Sequence, residues 1–467
     1  MKKYLLLTLL FTIFYSCSNE SEPKKEPPEP QTPPETEISL FNLDRMPSIT
    51  LEFELQDWNK FLSNFDENPQ NEKKLPATYS FSDGDISITL DSIGVKPRGN
   101  TSRRRPEGNT GEAHNAANPD WHHCHFGLDF SQFRDKQRFE GLNKLILKWF
   151  KDDPNYCREV FCYNLFALNG VWTAPRVSYC RLTVNVKGDP KPAYFGIYTM
   201  IESIDEDFIE YRKSEWSNAQ GFLWKGGWAG SNNADFVSTE SIGIEDVKMD
   251  ASKSKYYAYD LKNRKDELDD AKTQLIQFIT DINTKTGADF KTFISEKMDI
   301  NLFLKTYATN VAAGMWDDYW VNANNFYFYF AGNGKAYFIP YDYDNTLGTS
   351  LLINDAGTQN PLRWGKMDGR PLITKILEFD DFKIIYINYL KILIAPENNL
   401  FDYQSAKTRI QGWQTMIQPY VSNDSGEDMT IYDAPAAWSN KSEYRLLSGS
   451  EQTNFFRAKA ASINSIK

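Results

Sequence analysis

Apolar residues fall on alternate positions at Ile49, Leu51, Phe53 and Leu55, the period of a strand with one face buried. A short helical period follows through Trp58, Phe61 and Phe65, and strands are predicted over 79–81 and 86–95 around the turn Asp83-Gly84-Asp85. The stretch 142–150, LNKLILKWF, reads as an apolar strand. A helix is predicted over 152–170, with Pro154 in its first turn, Gly170 at its stop and Val160, Phe161, Leu165 and Leu168 as its apolar stripe. Strands at 177–186 and 193–202 pair across Gly188-Asp189-Pro190, and 205–212 is helical. Further on, a long helix over 300–313 leads to strands at 326–330 and 336–340, joined by a hairpin turn at Gly332-Asn333-Gly334. The segments 362–394, 403–421 and 453–463 are helical in period, so a β-rich half precedes an α-rich half and the fold class is α+β.

The polar residues that interrupt these patterns carry the chemistry. Lys148 sits inside an otherwise buried strand and needs a charged partner, and Glu159 on the next helix is within reach. The hairpin brings Asp317, Asp318, Asn322, Asn324 and Asn325 at one outer end together with Asp342, Asp344 and Asn345 at the other. Asp and Asn commonly cap turns, but a plain turn needs no oxygen ligands on both sides. Gathered carboxylates and amide carbonyls suit Mg²⁺ or Mn²⁺ holding phosphate oxygens. In 96–102, KPRGNTS, Gly99 and its hydroxyl and amide neighbours can turn backbone N–H groups toward an anion, with Arg98 as the fork; Arg103 to Arg105 read as a solvated loop. Residues 106–120 read as an exposed insertion ordered by substrate. In His122-His123-Cys124-His125 only His123 and His125 would face one way on a strand, and no further metal ligands follow nearby.

With 467 residues, 41% hydrophobic and 15% aromatic, the chain can bury a substantial core. A net charge of −11 excludes general nucleic-acid binding. Residues 1–16 have the layout of a signal peptide whose apolar run is too short for a stable anchor. Cys17 directly after it resembles a bacterial lipoprotein's acylated cysteine, although Phe14 departs from that pattern. The Pro- and Glu-rich segment 17–37 cannot bury a core and is expected to be a tether, which makes the protein an exported, outer-membrane lipoprotein facing the periplasm or cell surface. Export would permit disulfides among Cys124, Cys157, Cys162 and Cys180, but Cys157 and Cys162 point to different faces of a helix and read as buried thiols. From residue 38 the composition is globular, with no second linker and no repeat.

A strand with lysine, a helix with glutamate, two more strands and a helix is the order found in protein kinases. The stretches VKPRGNTS, YFGIYTMIESID, LWKGG, WDDYWVNANNFYFYF and AYFIPYDYDNTLG, in this order, resemble the CotH family of atypical secreted kinases, strongly over 47–348 and more loosely beyond. The resemblance implies an atypical protein-kinase-like, two-lobed fold with a β-rich N-lobe at 38–215 and an α-rich C-lobe at 216–467 that contains the catalytic hairpin 315–348. It implies ATP with Mg²⁺ or Mn²⁺ as cofactors and a protein Ser/Thr as phosphate acceptor. By the same resemblance Asp317 takes the acceptor's proton, with Asp318 the alternative. Asn325 and Asn322 are the amide metal ligands, and Asp342 and Asp344 form the metal-binding DxD. Lys148, paired with Glu159, contacts the phosphates, with Arg98 and Lys225 as rivals, and Glu202 lies near the hinge and adenine. The chain has no GxGxxG loop and no HRD, which excludes a conventional protein kinase and leaves the phosphate cradle open. The alternative is a kinase-like fold kept as a catalytically silent surface binding or adhesion module. A glycosidase would need an acid and a base set apart across a cleft, whereas DxD puts two carboxylates at one spot.

Overall fold

In the computed structural model, which describes residues 40–366, 369–436, 439 and 443–466, the alternating residues near the start form β1 (Ser48–Phe53), with Ile49, Leu51 and Phe53 buried. There follow α1 (Leu55–Glu67), β2 (Leu75–Ser82), β3 (Ser87–Arg98), β4 (His125–Asp129), β5 (Lys144–Trp149), α2 (Arg158–Leu168), β6 (Val177–Val186), β7 (Ala193–Glu202) and α3 (Glu206–Tyr211). The strands close into a barrel in the order β1-β2-β3-β4-β5-β7-β6, sealed by parallel pairing of β1 with β6. Its α1 end is filled by aromatic rings, Trp58 stacking on Phe61 at 5.0–6.0 Å from Phe53 and with Trp121 5.8 Å from Trp58.

The second half holds β8 (Phe222–Gly226), the two-residue strands β9 (Trp228–Ala229), β10 (Asn232–Asn233) and β11 (Ile242–Gly243), and β12 (Tyr259–Leu261). Helices α4 (Leu268–Thr284), α5 (Gly287–Lys297) and α6 (Ile300–Ala313) lead to the hairpin β13 (Phe326–Phe330) and β14 (Ala336–Pro340). After these come α7 (Pro371–Ile376), α8 (Asp380–Ile394), α9 (Tyr403–Ile417) and α10 (Phe455–Asn464). A five-stranded sheet runs β11-β12-β8-β13-β14. Both hairpin strands are buried along their whole length, so their residues read as continuous apolar runs and need α6 and its neighbours over them. The fold is mixed α and β, and the residues from Leu40 onward form one compact unit.

Several elements differ from the sequence expectation. Helix α2 starts at Arg158, not at 152, because the Asp153 carboxylate accepts from the backbone N–H of Cys157 at 3.0 Å and of Arg158 at 2.9 Å and sets the start there. β3 runs on to Arg98, which makes Lys96 and Arg98 strand residues rather than loop residues. The insertion 106–120 is ordered by the protein itself: Glu107 accepts from Trp58 Nε1 at 2.7 Å, and the His114 ring lies between Glu107 at 2.9 Å and Asp189 at 2.6 Å. Cys124, Cys157, Cys162 and Cys180 are all buried free thiols. The expected signal segment, Cys17 and the tether lie outside the described residues. No helix among the described residues is long and apolar enough to cross a membrane.

Candidate active site

The hairpin register pairs Phe326 with Pro340, so Asn325 and the residues following Pro340 emerge side by side. Asn325 at φ +49° and Asp342 at φ +64° both take left-handed backbone, where Asn and Asp are among the few L-residues found routinely. Hydrogen bonds fix the Asp342-Tyr343-Asp344 segment on two helices. The Asp342 N–H donates to Tyr163 Oη on α2 at 2.9 Å, the Tyr343 N–H to Glu159 Oε1 at 3.2 Å, and Tyr343 Oη to Asn310 Oδ1 on α6 at 2.7 Å.

Lys148 reaches this segment from β5. Its ammonium lies 2.8 Å from Glu159 and 3.0 Å from Asp344, and also contacts Asp342. The expected pair of Lys148 with Glu159 is thus formed and buried, with side chains 11% and 6% exposed. Burial works against the Lys148 charge, but the three carboxylates outweigh it and keep it protonated. One ammonium does not neutralise three acids. Burial disfavours the charge on each; contact with Lys148 still holds Asp342 below the usual carboxyl range, while Glu159 and Asp344 are pushed up.

Oxygens of Glu159, Asp342 and Asp344 lie within 4.8 Å of one another. Asp344 Oδ1 and Asn345 Oδ1 are buried without a hydrogen-bond partner. Three carboxyl groups around one ammonium, with the orphaned Asp344 oxygen among them, fit a divalent cation such as Mg²⁺ or Mn²⁺.

Asp317 stands across from this cluster, close enough for Asp342 to act on its charge. Side-chain N–H groups of Asn322, Asn324 and Asn325 donate to it at 2.6, 3.2 and 2.9 Å. Asp317 and Asn322 are five residues apart, the D-x-x-x-x-N spacing of a kinase catalytic loop. Burial nevertheless raises the Asp317 carboxyl, which makes it a better proton acceptor. Asp318 points elsewhere. It is 3% exposed, accepts from Asn310 Nδ2 at 2.6 Å and Val321 N–H at 2.9 Å, and is pushed by burial to about 7.

Arg98 donates to Tyr341 Oη at 2.6 Å, the Lys225 ammonium lies 5.8 Å from the Tyr341 ring, and both act on the Asp342 charge. Glu202 is not brought to the cluster: its carboxylate is held by Arg176 at 2.8 Å and Arg212 at 2.7 Å. His123 and His125 are not brought to a shared ion either. His123 Nε2 lies 2.8 Å from the Phe195 carbonyl, and His125 Nδ1 accepts from the Trp149 N–H at 3.0 Å. Sequence reasoning missed Tyr163, Tyr341 and Asn310 as anchors of the site. Of these only Tyr163 carried a signal, being four residues after Glu159 and so on the same helix face.

Comparison with known proteins places the chain in a family. The family described as CotH kinase protein matches residues 98–445. Inner spore coat protein H of Bacillus subtilis is 24% identical over 294 residues, which is 62% of this chain and 72% of that protein. Two Rhizopus delemar proteins are also similar. Invasin CotH3 is 23% identical over 322 residues, 67% of this chain and 49% of that protein, and invasin CotH7 is 31% identical over 108 residues, 22% of this chain and 18% of that protein. The family match takes in Arg98, Lys148, Glu159, Asp317, Asp342 and Asp344, every residue of the cluster just described, and the chain belongs to the CotH kinase protein family.

Proposed function

We propose that this chain is an ATP- and metal-dependent phosphotransferase acting on a protein serine or threonine, with the barrel as the β-rich lobe of a kinase-like fold and the second half as its α-rich lobe. The observation that carries this reading is the Lys148 ammonium, which touches a helix glutamate and both aspartates of the DxD at once. In a kinase, a lysine paired with the helix glutamate binds nucleotide phosphates beside a metal-holding aspartate. Asp342 and Asp344, with Asn322 and Asn325 as amide oxygens, would hold the divalent ion. That ion neutralises phosphate charge when bound.

The chain's own residues do the rest. The three asparagines orient the Asp317 carboxylate, which accepts the proton of the acceptor hydroxyl. The hydroxyl oxygen bonds to the terminal phosphorus as the bond to the leaving diphosphate breaks. Lys148 and Arg98 face the charge that builds on the phosphate oxygens. The proposal includes an exported protein, anchored at the outer membrane through a lipid on Cys17.

A second reading, a catalytically silent adhesion module, is favoured by the name invasin carried by two relatives. Phosphate transfer separates the two. Incubated with ATP, Mn²⁺ and a serine-rich protein acceptor, the parent is expected to incorporate phosphate and Asp317→Ala to lose at least roughly 10²-fold in rate. Equal incorporation by both, or none by the parent, contradicts the phosphotransferase reading.

A further inference from the structure

A row of side chains beside the Asp342 segment crosses three strands of the barrel. Arg98 on β3 is opposite His125 on β4, and the register of β4 with β5, which pairs Phe126 with Leu147, carries on to set His125 opposite Lys148. Directly opposed residues share a face of the sheet, so Arg98, His125 and Lys148 stand side by side on one face, with Phe126 and Leu147 on the other. The outer two converge over the middle strand: Arg98 donates to Tyr341 Oη at 2.6 Å, and Lys148 contacts Asp342, the next residue. Among the described residues Arg98 makes no ion pair.

The orientation of the His125 ring follows from its two edges. Nδ1 accepts from the Trp149 N–H at 3.0 Å, so the neutral ring carries its proton on Nε2. Cδ2 lies against Gly99, where a Cβ would stand 3.3 Å from it. Nε2 is next to Cδ2 and on the far side of the ring from the backbone, so it points away from β4 on the Arg98 side. The residue is 1% exposed, and Nε2 has no hydrogen-bond partner among the described residues. Burial first, and then Lys148 and Arg98 beside it, keep the ring neutral. A buried N–H without an acceptor is rare in a folded protein and calls for a ligand atom.

Arg98, His125 and Lys148 turn donors and no acceptor to one place, and two of the three are cations, which suits an anion with several oxygens. The chain also lacks the GxGxxG loop that covers the phosphates in protein kinases. We propose that the His125 Nε2–H is the middle donor of a phosphate cradle between Arg98 and Lys148, and bonds an oxygen of the ATP phosphate chain whose metal-bound part sits at the Asp342 cluster. The inference rests on reading that cluster as a metal and phosphate site. Nε2 is reached as Arg98 and Lys148 turn from Tyr341 and Asp342 to the phosphate. Being neutral, it adds a bond without setting a third positive charge between two others.

The test is calorimetric titration of the full chain in Mn²⁺ with ATP and with tripolyphosphate, for the parent, His125→Asn and His125→Gln. Asn places its amide oxygen where Nδ1 accepts from Trp149 and has nothing at Nε2, whereas Gln places an amide N–H near Nε2. His125→Asn is expected to bind both compounds at least roughly tenfold more weakly, and His125→Gln to stay within about threefold of the parent. The rise in melting temperature that Mn²⁺ alone produces should be the same in all three, because the metal ligands are untouched; the same melts show whether each variant is folded. A second measurement depends on no variant's binding. The chain has four histidines, and in the ¹⁵N-histidine spectrum of the parent in Mg²⁺ the Nε2–H resonance missing from either variant should move downfield at tripolyphosphate saturation. Parent-like affinity in a folded His125→Asn, or an unmoved Nε2–H resonance at saturation, would overturn the inference while leaving the phosphate site intact. Loss of ATP affinity with tripolyphosphate affinity kept would assign the ring to the base and also overturn it. If the parent binds neither compound with Mn²⁺, the underlying site reading fails and this inference fails with it.

Discussion

With Lys148 replaced by Met, Glu159, Asp342 and Asp344 would lose the one ammonium that touches all three, and the loss of a buried partner of this kind typically costs about 3–5 kcal/mol. The same three carboxylates would then be a stronger cation site. Lys148→Met is therefore expected to melt well below the parent without metal, and Mn²⁺ should raise its melting temperature by more than it raises the parent's. An equal or smaller Mn²⁺ shift in the variant would contradict the view that these oxygens form one site. Asp318 makes a different prediction. Its carboxyl is held near 7 in the fold against about 4 in an unfolded chain, so between these values the native state binds more protons. Its contribution to stability falls as pH rises from about 4 to 7, on the order of 1 kcal/mol per pH unit, and is flat above. Asp318→Asn should remove that slope, whatever it does to the absolute stability. Urea unfolding of both proteins at pH 5 and pH 8 measures it, and parallel pH dependence would show that Asp318 does not titrate in this window.

At the scale of elements, Glu202 closes β7 and joins Arg176 on the preceding strand edge to Arg212 after α3, at 1% exposure. A pair so buried serves packing between the barrel and α3. Glu202→Ala is expected to cost about 3–5 kcal/mol in unfolding while ATP affinity in Mn²⁺ changes less than about twofold. A selective loss of ATP affinity in a fully stable variant would return Glu202 to the nucleotide.

The paired strands 177–186 and 193–202, the hairpin strands and α6 were legible to the residue, since each is a largely apolar run closed by a turn or a cap. The start of α2 was not, because Asp153 caps it through a contact that the Asp-Asp-Pro sequence does not distinguish from a helix beginning earlier. The candidate site followed the same division. Lys148, Glu159 and the two DxD aspartates stood out as charges against apolar pattern, and the structure joins them. The choice between Asp317 and Asp318 depended on which neighbour turns inward, which their identical side chains conceal. The row of Arg98, His125 and Lys148 depends on which strands lie side by side in the barrel, and local pattern does not encode that pairing.

For the whole molecule, the barrel delivers Lys148 and Arg98, α2 delivers Glu159, and the hairpin delivers the aspartates and asparagines, so the site exists only when both halves of the fold are assembled. The proposed function requires this assembly to bind ATP through a divalent ion. Calorimetric titration of the full chain with ATP, with and without Mn²⁺, measures this most directly when Asp342→Ala, Asp344→Ala and Asp317→Ala are run beside the parent. Asp342→Asn serves as a control that keeps a residue suited to the left-handed backbone at φ +64°. The account predicts Mn²⁺-dependent binding by the parent, loss of at least roughly tenfold in affinity in Asp342→Ala, Asp342→Asn and Asp344→Ala, and affinity within about threefold of the parent in Asp317→Ala. Parent-like ATP binding in both Asp342→Ala and Asp344→Ala, or no Mn²⁺-dependent binding by the parent, would contradict it.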